Sequence, residues 1–426
     1  RKLYCDSRNN LWICTYEGLF RRDAQTGLTS AFFMKKVGEG ANYFWDLVED
    51  SQGIIWFSVS NDGKEGIWCM NPETRQMKQF KNNLLDPNSL SDNHILRLYK
   101  DRSGTLWAGS WTSGLNYFYP SQAFDHLFRS HDHQTKLIQN KVFAITQDQA
   151  DQLWVGIYNG GIFRFNQQSR EYHQITPPAG IPNTANLNKI YSLYHDQQDS
   201  LWIGYRRLGL GRYHLPSNQF RLFTPEQGNP NSLGSFMIRC IYEDSNNRLW
   251  IGTYSDLNRW VPEKEHFVRY RHDPKNSNSI GGIQISDISE DPSRNIWAAT
   301  SNGISRIDPF GRITRFLYRS RDPITINAIS VGSKKNILWL GSQYHGLLEL
   351  NSRSGQYSFI ELPSERMGRQ IQSIIRDRNS LWITTNNGLA KFNIKSRRFR
   401  VYKQRDGVDI LEFTSAAHRD SNGKIY

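Results

Sequence analysis

The chain has 426 residues, and its 53 Lys and Arg exceed its 40 Asp and Glu by 13; it is too long for one ordinary globular core, and its charge suits an anionic partner. Hydrophobic residues make up 38%, and no apolar run approaches the roughly 20 residues of a membrane helix, which excludes a helical membrane span. Four cysteines, Cys5, Cys14, Cys69 and Cys240, have neither disulfide-framework nor CxxC spacing, so buried free thiols are expected, with Cys5 and Cys14 as cross-strand neighbours beside one tight turn.

From the N-terminus, RKLYCDSRNNLWICTYEGLF lacks the basic-then-apolar layout of a secretory signal and reads as the middle of a structural unit, so the chain is expected to be part of a longer one. That stretch is also the first copy of a pattern that runs to the end: Asp, a polar turn, Leu-Trp-Ile-Gly-Thr, a few polar residues, then Gly-Leu. Later copies include DRSGTLWAGSWTSGL, DQADQLWVGIYNGGI, DQQDSLWIGYRRLGL and DSNNRLWIGTYSDL. The aromatic anchors are Trp12, Trp56, Trp107, Trp154, Trp202, Trp250, Trp297, Trp339, Trp382 and Tyr426. Ten copies at a period near 46 residues mark a repeat architecture.

Each period reads as four short strands. An alternating apolar run such as KIYSLYHD ends in the motif Asp, whose side chain can hold the following turn. The second strand carries LWIGT, the third begins at the second Gly (GIFRFNQ, GLGRYHL), and the fourth is a more polar aromatic strand such as QFRLFTP or RRFRVYK. A four-stranded antiparallel meander of this length with a fixed Trp and Gly predicts a β-propeller blade. The Trp would cover the next blade's sheet, and the Gly would permit close approach where blades meet. The fold class is therefore all-β, with four-stranded antiparallel blades.

These copies resemble the two-component regulator propeller repeats of hybrid two-component sensors from polysaccharide-degrading gut bacteria. The segments before first strands (DPNSLSDN, GNPNSLGS, DPKNSNSIGG) and the end, DGVDILEFTSAAHRDSNGKIY, are similar as well. The resemblance implies tandem propellers: 1–138 as the last three blades of a first seven-bladed propeller, and 139–426 as a second, with its last blade truncated. It also implies a periplasmic position, a homodimer formed through the full-length receptor, and a membrane helix and histidine kinase in segments absent here.

No catalytic constellation stands out. There is no HExxH, Gly-rich phosphate loop, G-x-S-x-G or zinc-spaced Cys/His cluster, so no catalytic residue, metal or cofactor is expected. His131 and His133 read as a solvated linker rather than a metal site. The recurring Asp marks a turn, and Asp244-Ser-Asn-Asn-Arg lacks the Gly and Glu of a calcium loop. Between Arg378 and Arg405 no carboxylate occurs while Lys and Arg crowd together, as on an outer strand protected from edge pairing by its charges.

The informative positions are those where copies differ. The loops between second and third strands hold Trp111; Tyr158 and Asn159; Arg206 and Arg207; Tyr254; Asn302; Tyr344 and His345; Asn386 and Asn387. Aromatic faces stack on sugar rings, amides pair with hydroxyls, and guanidinium forks grip carboxylate or sulfate. This rim is expected to bind an oligosaccharide, an acidic one being favoured by Arg206, Arg207 and the net charge. The alternatives are a propeller enzyme such as a glycan lyase or hydrolase, with Trp45 and Asp46 as its nearest candidates, and a protein-interaction scaffold, which would need apolar rim patches. Nucleic acid fits less well, because the basic residues are not interleaved along one element outside the Arg397 region.

Overall fold

A computed structural model describes residues 2–34, 43–50, 52–60, 65–83, 89–101, 105–118, 141–167, 169, 171–175, 187–319, 321–332, 336–363, 367–403, 406, 408, 412–420 and 423–426. Every sheet among them is built from consecutive antiparallel strands in chain order. Eight sheets have four strands and one has three, and we number these blades 1 to 9: 2–34, 43–80, 95–118 (three strands), 142–175, 190–223, 238–271, 287–316, 326–360 and 371–402. The chain divides into two compact units, 1–126 with 404–408 and 127–403 with 409–426. The expected propeller boundary at 138 and the His131/His133 pair lie outside the described residues.

Blade 5 shows how the motif builds a sheet. Its first strand, Ile190–His195, pairs with Ser200–Tyr205, which pairs with Leu210–His214, and Gln219–Phe223 forms the outer edge. Between the first two strands, Asp196 Oδ1 accepts the backbone N–H groups of Gln198 and Ser200, closing the turn. Its other oxygen accepts the indole N–H of Trp202 at 2.7 Å. The same Asp-to-Trp bond, at 2.7 to 2.9 Å, occurs in blades 1 to 7. The repeated Asp is thus a turn residue that also satisfies the buried indole, a second duty that the turn reading did not include. Blade 8 has Gly332 at this place, and in blade 9 Asp377 stands one residue closer to its Trp and instead meets Lys391 at 3.2 Å.

Seven of the anchor Trp residues pack into clusters that include residues of the following blade, among them Trp202 with Ile238 and Ile251, Trp250 with Ile285 and Ile296, and Trp297 with Ile326 and Leu338. A small sheet cannot bury both of its faces, so the clusters between blades, not within them, are the core. The motif Gly has the expected role in detail. A Cβ on Gly204 would come within 2.8 Å of Ile238 Cγ2, and one on Gly341 within 2.4 Å of Ile371 Cγ2. Thus the first strand of one blade lies directly on the second strand of the blade before it.

In the second unit the first strands of blades 4 to 9 pack side by side as an inner ring. The segment 412–426 touches both ends of this series. Phe413 N–H donates to Thr385 O at 3.3 Å and Arg419 Nη1 to Arg376 O at 3.0 Å, both in blade 9. On the other side the Thr414 hydroxyl donates to Val142 O, Lys141 pairs with Glu412 at 2.6 Å, and Tyr426 Oη lies 2.5 Å from Gln167 Oε1 in blade 4.

Two expectations about cysteine fail. Cys5 is exposed rather than buried. It also stands opposite Leu11 while Cys14 stands opposite Lys2, because the turn holds five residues, 6 to 10, and the two thiols sit at opposite ends of the ladder. Burial pushes the Cys14 thiol up to about 12, which keeps it protonated and inert. The basic strand Arg398–Tyr402 is indeed the outer edge of blade 9. Nearby, Arg397 pairs with Glu349 of blade 8 at 2.6 Å.

Candidate functional site

The loops between second and third strands and the segments leading into first strands share one end of each blade, because they are hydrogen-bonded to each other. Tyr158 N–H donates to Lys141 O, Arg206 N–H to Lys189 O, Ser301 N–H to Ile283 O, Gln343 N–H to Thr325 O and Asn386 N–H to Gln370 O, all at 2.9 to 3.1 Å. Adjacent blades are joined at this end too, as when Asn159 N–H donates to Asn188 O at 2.7 Å.

The rim residues expected from sequence do not form one set. Trp111 is 65% exposed but belongs to the first unit. In the second unit Tyr254, Tyr344, Arg207 and Asn387 are exposed on loop tips. Asn159 is a turn residue with φ of 63°, where Asn is tolerated. Asn302 spends its amide on the backbone of Arg319, with Nδ2 donating to its carbonyl at 2.7 Å and Oδ1 accepting its N–H at 3.1 Å. His345 lies near Phe359, ring centroids 5.6 Å apart, and Asn386 abuts Gly368, whose Cβ would meet its Oδ1 at 1.9 Å. These amides shape loops.

Tyr158 and Arg206 are different, since the fold brings them together. The Arg206 guanidinium carbon lies 5.7 Å from the Tyr158 ring centre and 5.9 Å from that of Tyr191, and Nη1 donates to the Tyr158 hydroxyl. That hydrogen bond raises the already high pKa of Arg206, fixing it as a cation. Phe143 completes the cluster: its ring stacks on Tyr191 at 5.0 Å and 20°, and lies 5.6 Å from Tyr158.

Neither Phe143 nor Tyr191 was singled out from sequence. Both sit at a recurrent irregularity of the inner strand. In blades 4, 5, 6, 8 and 9 the pairing of first and second strands skips one residue, between Val142 and Ala144, Ile190 and Ser192, Ile238 and Cys240, Ile326 and Ala328, and Ile371 and Ser373. A β-bulge leaves the extra residue out of the ladder and re-aims its side chain, a device found next to binding sites. The skipped residues are Phe143, Tyr191, Arg239, Asn327 and Gln372. Each lies five residues before the end-of-strand Asp, or before Gly332 in blade 8. Variable aromatic, basic and amide residues at one offset inside an otherwise apolar run were the sequence signal for them.

The side chain of Arg239, the bulge residue of blade 6, makes no hydrogen bond or ion pair among the described residues, and its Nε is buried without a partner. The same holds for Arg206 Nε and for Ser286 Oγ, at the corresponding place in blade 7. Arg164, Arg259 and Arg306, each opposite its blade's anchor Trp on the third strand, also have an unpaired Nε, so what sets Arg206, Arg239 and Ser286 apart is their place along the inner strands and the loops beside them.

The position four residues before the end-of-strand Asp carries an acid twice. In blade 7 Asp287 accepts N–H groups from Ile288 at 2.8 Å and from Ile329, in the next blade's inner strand, at 2.7 Å. Loss of hydration outweighs those bonds and pushes its carboxyl up to about 7. In the first unit Asp46 makes the equivalent bond to Leu98 N–H at 3.2 Å, with Lys2 Nζ at 2.9 Å. The Trp45 indole donates to Ser60 Oγ at 3.1 Å. Asp46 is thus a strut between blades. Among the described residues no group of three or more His, Cys, Asp or Glu is placed to hold a metal, and no helix is long and apolar enough to cross a membrane.

A family model described as "Two component regulator propeller" matches residues 38–61, 89–112 and 233–255. No curated protein matches the chain. Among solved structures, the chain is similar to the extracellular domain of the putative hybrid two component system BT3049 from B. thetaiotaomicron, with 21% identity and a TM-score of 0.64 over 100% of this chain and 54% of that one. The extracellular domain of a putative hybrid two component system BT4673 from the same organism matches at 19% identity and a TM-score of 0.56, over 99% of this chain and 56% of that one. Streptogramin B lyase matches at 14% identity and a TM-score of 0.50, covering 67% and 89%. The chain thus spans just over half the length of the two sensor domains.

Proposed function

Starting from the fact that the chain carries two component regulator propeller repeats, we propose that it is the ligand-sensing part of the extracytoplasmic region of a hybrid two-component sensor. Its blades 1 to 3 are the end of a first propeller, and blades 4 to 9 with the segment 412–426 occupy the seven places of a second. The ligand is an oligosaccharide that controls genes for polysaccharide use, and acidic glycans are favoured over neutral ones. The region does no chemistry of its own. Ligand binding favours one arrangement of a periplasmic homodimer over another, and the difference in affinity between the two arrangements is what reaches the kinase.

The observation that carries this reading is the cationic Arg206 held against Tyr158 and Tyr191, which pairs an anion-gripping fork with rings suited to sugar faces. Calorimetric titration with matched neutral and uronic oligosaccharides tests it. Binding of the uronic series with weak or no binding of the neutral one is expected; equal binding of both would remove the charge argument, and binding of neither would remove the glycan.

A further inference from the structure

We infer that the second unit holds an anion-binding ring site built from inner-strand bulges rather than from loop tips: Phe143, Tyr158 and Tyr191 as the platform, Arg206 and Arg239 as the charged wall. The inference deepens the sensor reading and rests on it for the claim that the ligand is a sugar. It does not rest on it for the claim that the site exists.

Three observations converge. The first is placement: the backbone departs from regular pairing at the same point in blade after blade, and at blades 4, 5 and 6 it presents Phe143, Tyr191 and Arg239. The second is order among neighbours. Tyr158 stands four residues after Trp154 and lies against Tyr191, the bulge residue of the following blade, at 6.2 Å. Arg206 stands four residues after Trp202, so the bulge residue that follows it in the same relation is Arg239. The third is unmet demand. Two guanidinium Nε donors and the Ser286 hydroxyl, from consecutive blades, are buried and unpaired, and no carboxylate is paired with either Arg among the described residues. Buried cationic donors left without an acceptor cost free energy unless a ligand supplies the anion.

The chemistry of the ligand follows. One face must be a ring that can lie on Tyr158 and Tyr191, and its substituent must be a carboxylate or sulfate that accepts from Arg206 and Arg239. A sugar uronate has both, and so does any saturated ring acid.

The test titrates the chain with trigalacturonate, with galactotriose and with cyclohexanecarboxylate, following heat and tyrosine fluorescence. Trigalacturonate is expected to bind and galactotriose to bind at least tenfold more weakly. Arg239→Gln is expected to weaken trigalacturonate by about tenfold or more, Arg206→Lys by about fivefold through loss of the planar fork, and Tyr191→Leu by about fivefold. Lys395→Gln, which removes an exposed charge at the outer edge of blade 9, should change nothing, separating the site from net charge. Thermal unfolding of each variant checks folding, and Arg206→Lys keeps size and charge if Arg239→Gln does not fold. If trigalacturonate binds equally well to Arg206→Lys and Tyr191→Leu, the site is overturned while the sensor reading stands. If trigalacturonate fails but cyclohexanecarboxylate binds in an Arg239-dependent way, the site stands and the glycan falls. If neither binds, the site is overturned.

Discussion

The inner ring of the second unit has two sides built on one backbone and furnished differently. Blades 4 to 6 place Phe143, Tyr191 and Arg239 at their bulges, while blades 8 and 9 place Asn327 and Gln372. On the amide side Asn327 Nδ2 donates to Ile371 O of the next blade at 3.0 Å, so its polarity is consumed in joining blades. On the aromatic side the Nε atoms of Arg206 and Arg239 are buried donors with no partner among the described residues. The lesson is that repetition fixes where a side chain points and not whether its demand is met.

The largest test of that contrast removes the anchor beneath each side. Trp202→Ala and Trp339→Ala each empty a buried cavity and are expected to cost about 3–5 kcal/mol. Trp202 should cost about 1 kcal/mol more, since it also gives up its bond to Asp196, whereas blade 8 has Gly332 where that carboxylate would be. Urea denaturation of both variants measures the difference, and a costlier Trp339 would contradict this role for the motif Asp.

Next in size is the carboxyl between the two sides. Between pH about 4 and about 7 the unfolded chain has released the Asp287 proton and the folded chain still holds it, so stability falls as pH rises through that window. The ceiling is about 4 kcal/mol, because each tenfold gain in proton affinity is worth about 1.4 kcal/mol. Asp287→Asn keeps an oxygen for only one of Ile288 and Ile329, whose N–H groups donate to different carboxylate oxygens, so it should lower stability at every pH while flattening the dependence; an unchanged slope in stability measured from pH 4 to 8 would assign it to another group. Cys240 and Tyr242 are the titratable neighbours to watch, since burial raises both and the Asp287 charge adds to it. Asp46, with Lys2 beside it, is the counterpart in the first unit whose replacement by Asn loses an ion pair instead.

Smaller still are the close approaches. Gly204→Ala on the aromatic side drives a methyl into Ser192 Oγ of its own blade as well as into the next blade's Ile238, and Gly341→Ala on the amide side drives one into Ile371; each should cost about 1–3 kcal/mol, Gly204 the more, read from thermal unfolding. No cost at Gly341 would show that blades 8 and 9 are not in the close contact described. The smallest change is expected from Tyr344→Ala. It is 69% exposed on a loop tip, so stability should move by less than about 0.5 kcal/mol and ligand affinity not at all.

Much of this was legible in the sequence, for a physical reason. A period set by strand length and turn chemistry repeats its residues, so Asp196, Trp202 and Gly204 announced the turn, the anchor and the close approach by recurrence alone. The strand order followed, because a meander with short turns leaves no other pairing. The rim was only half legible. Tyr158 and Arg206 were found because they break the loop pattern, but Asn302 and Asn159 belong to the backbone of their loops, and nothing in a polar loop residue tells a turn-former from a ligand contact. Tyr191 and Arg239 were missed since they lie inside an alternating run, where an extra residue in one strand changes no residue type. Only alignment of the copies on the motif Asp exposes the offset. The fate of Cys5 was missed for a related reason: turn length, not proximity to a turn, decides which residues face each other.

The segment 412–426 couples the beginning of the second unit to its end, since the bond from Thr414 to Val142 joins residues 272 apart in sequence. During synthesis each blade can form from neighbours just made, at little cost in chain entropy. The unit stays an arc with two raw sides, however, until its final stretch reaches back to the first blade. Cooperativity therefore arrives late and all at once. A lesion in those last fifteen residues should be felt as loosening across the whole circle, with hydrogen exchange rising in blades 4 and 9 first.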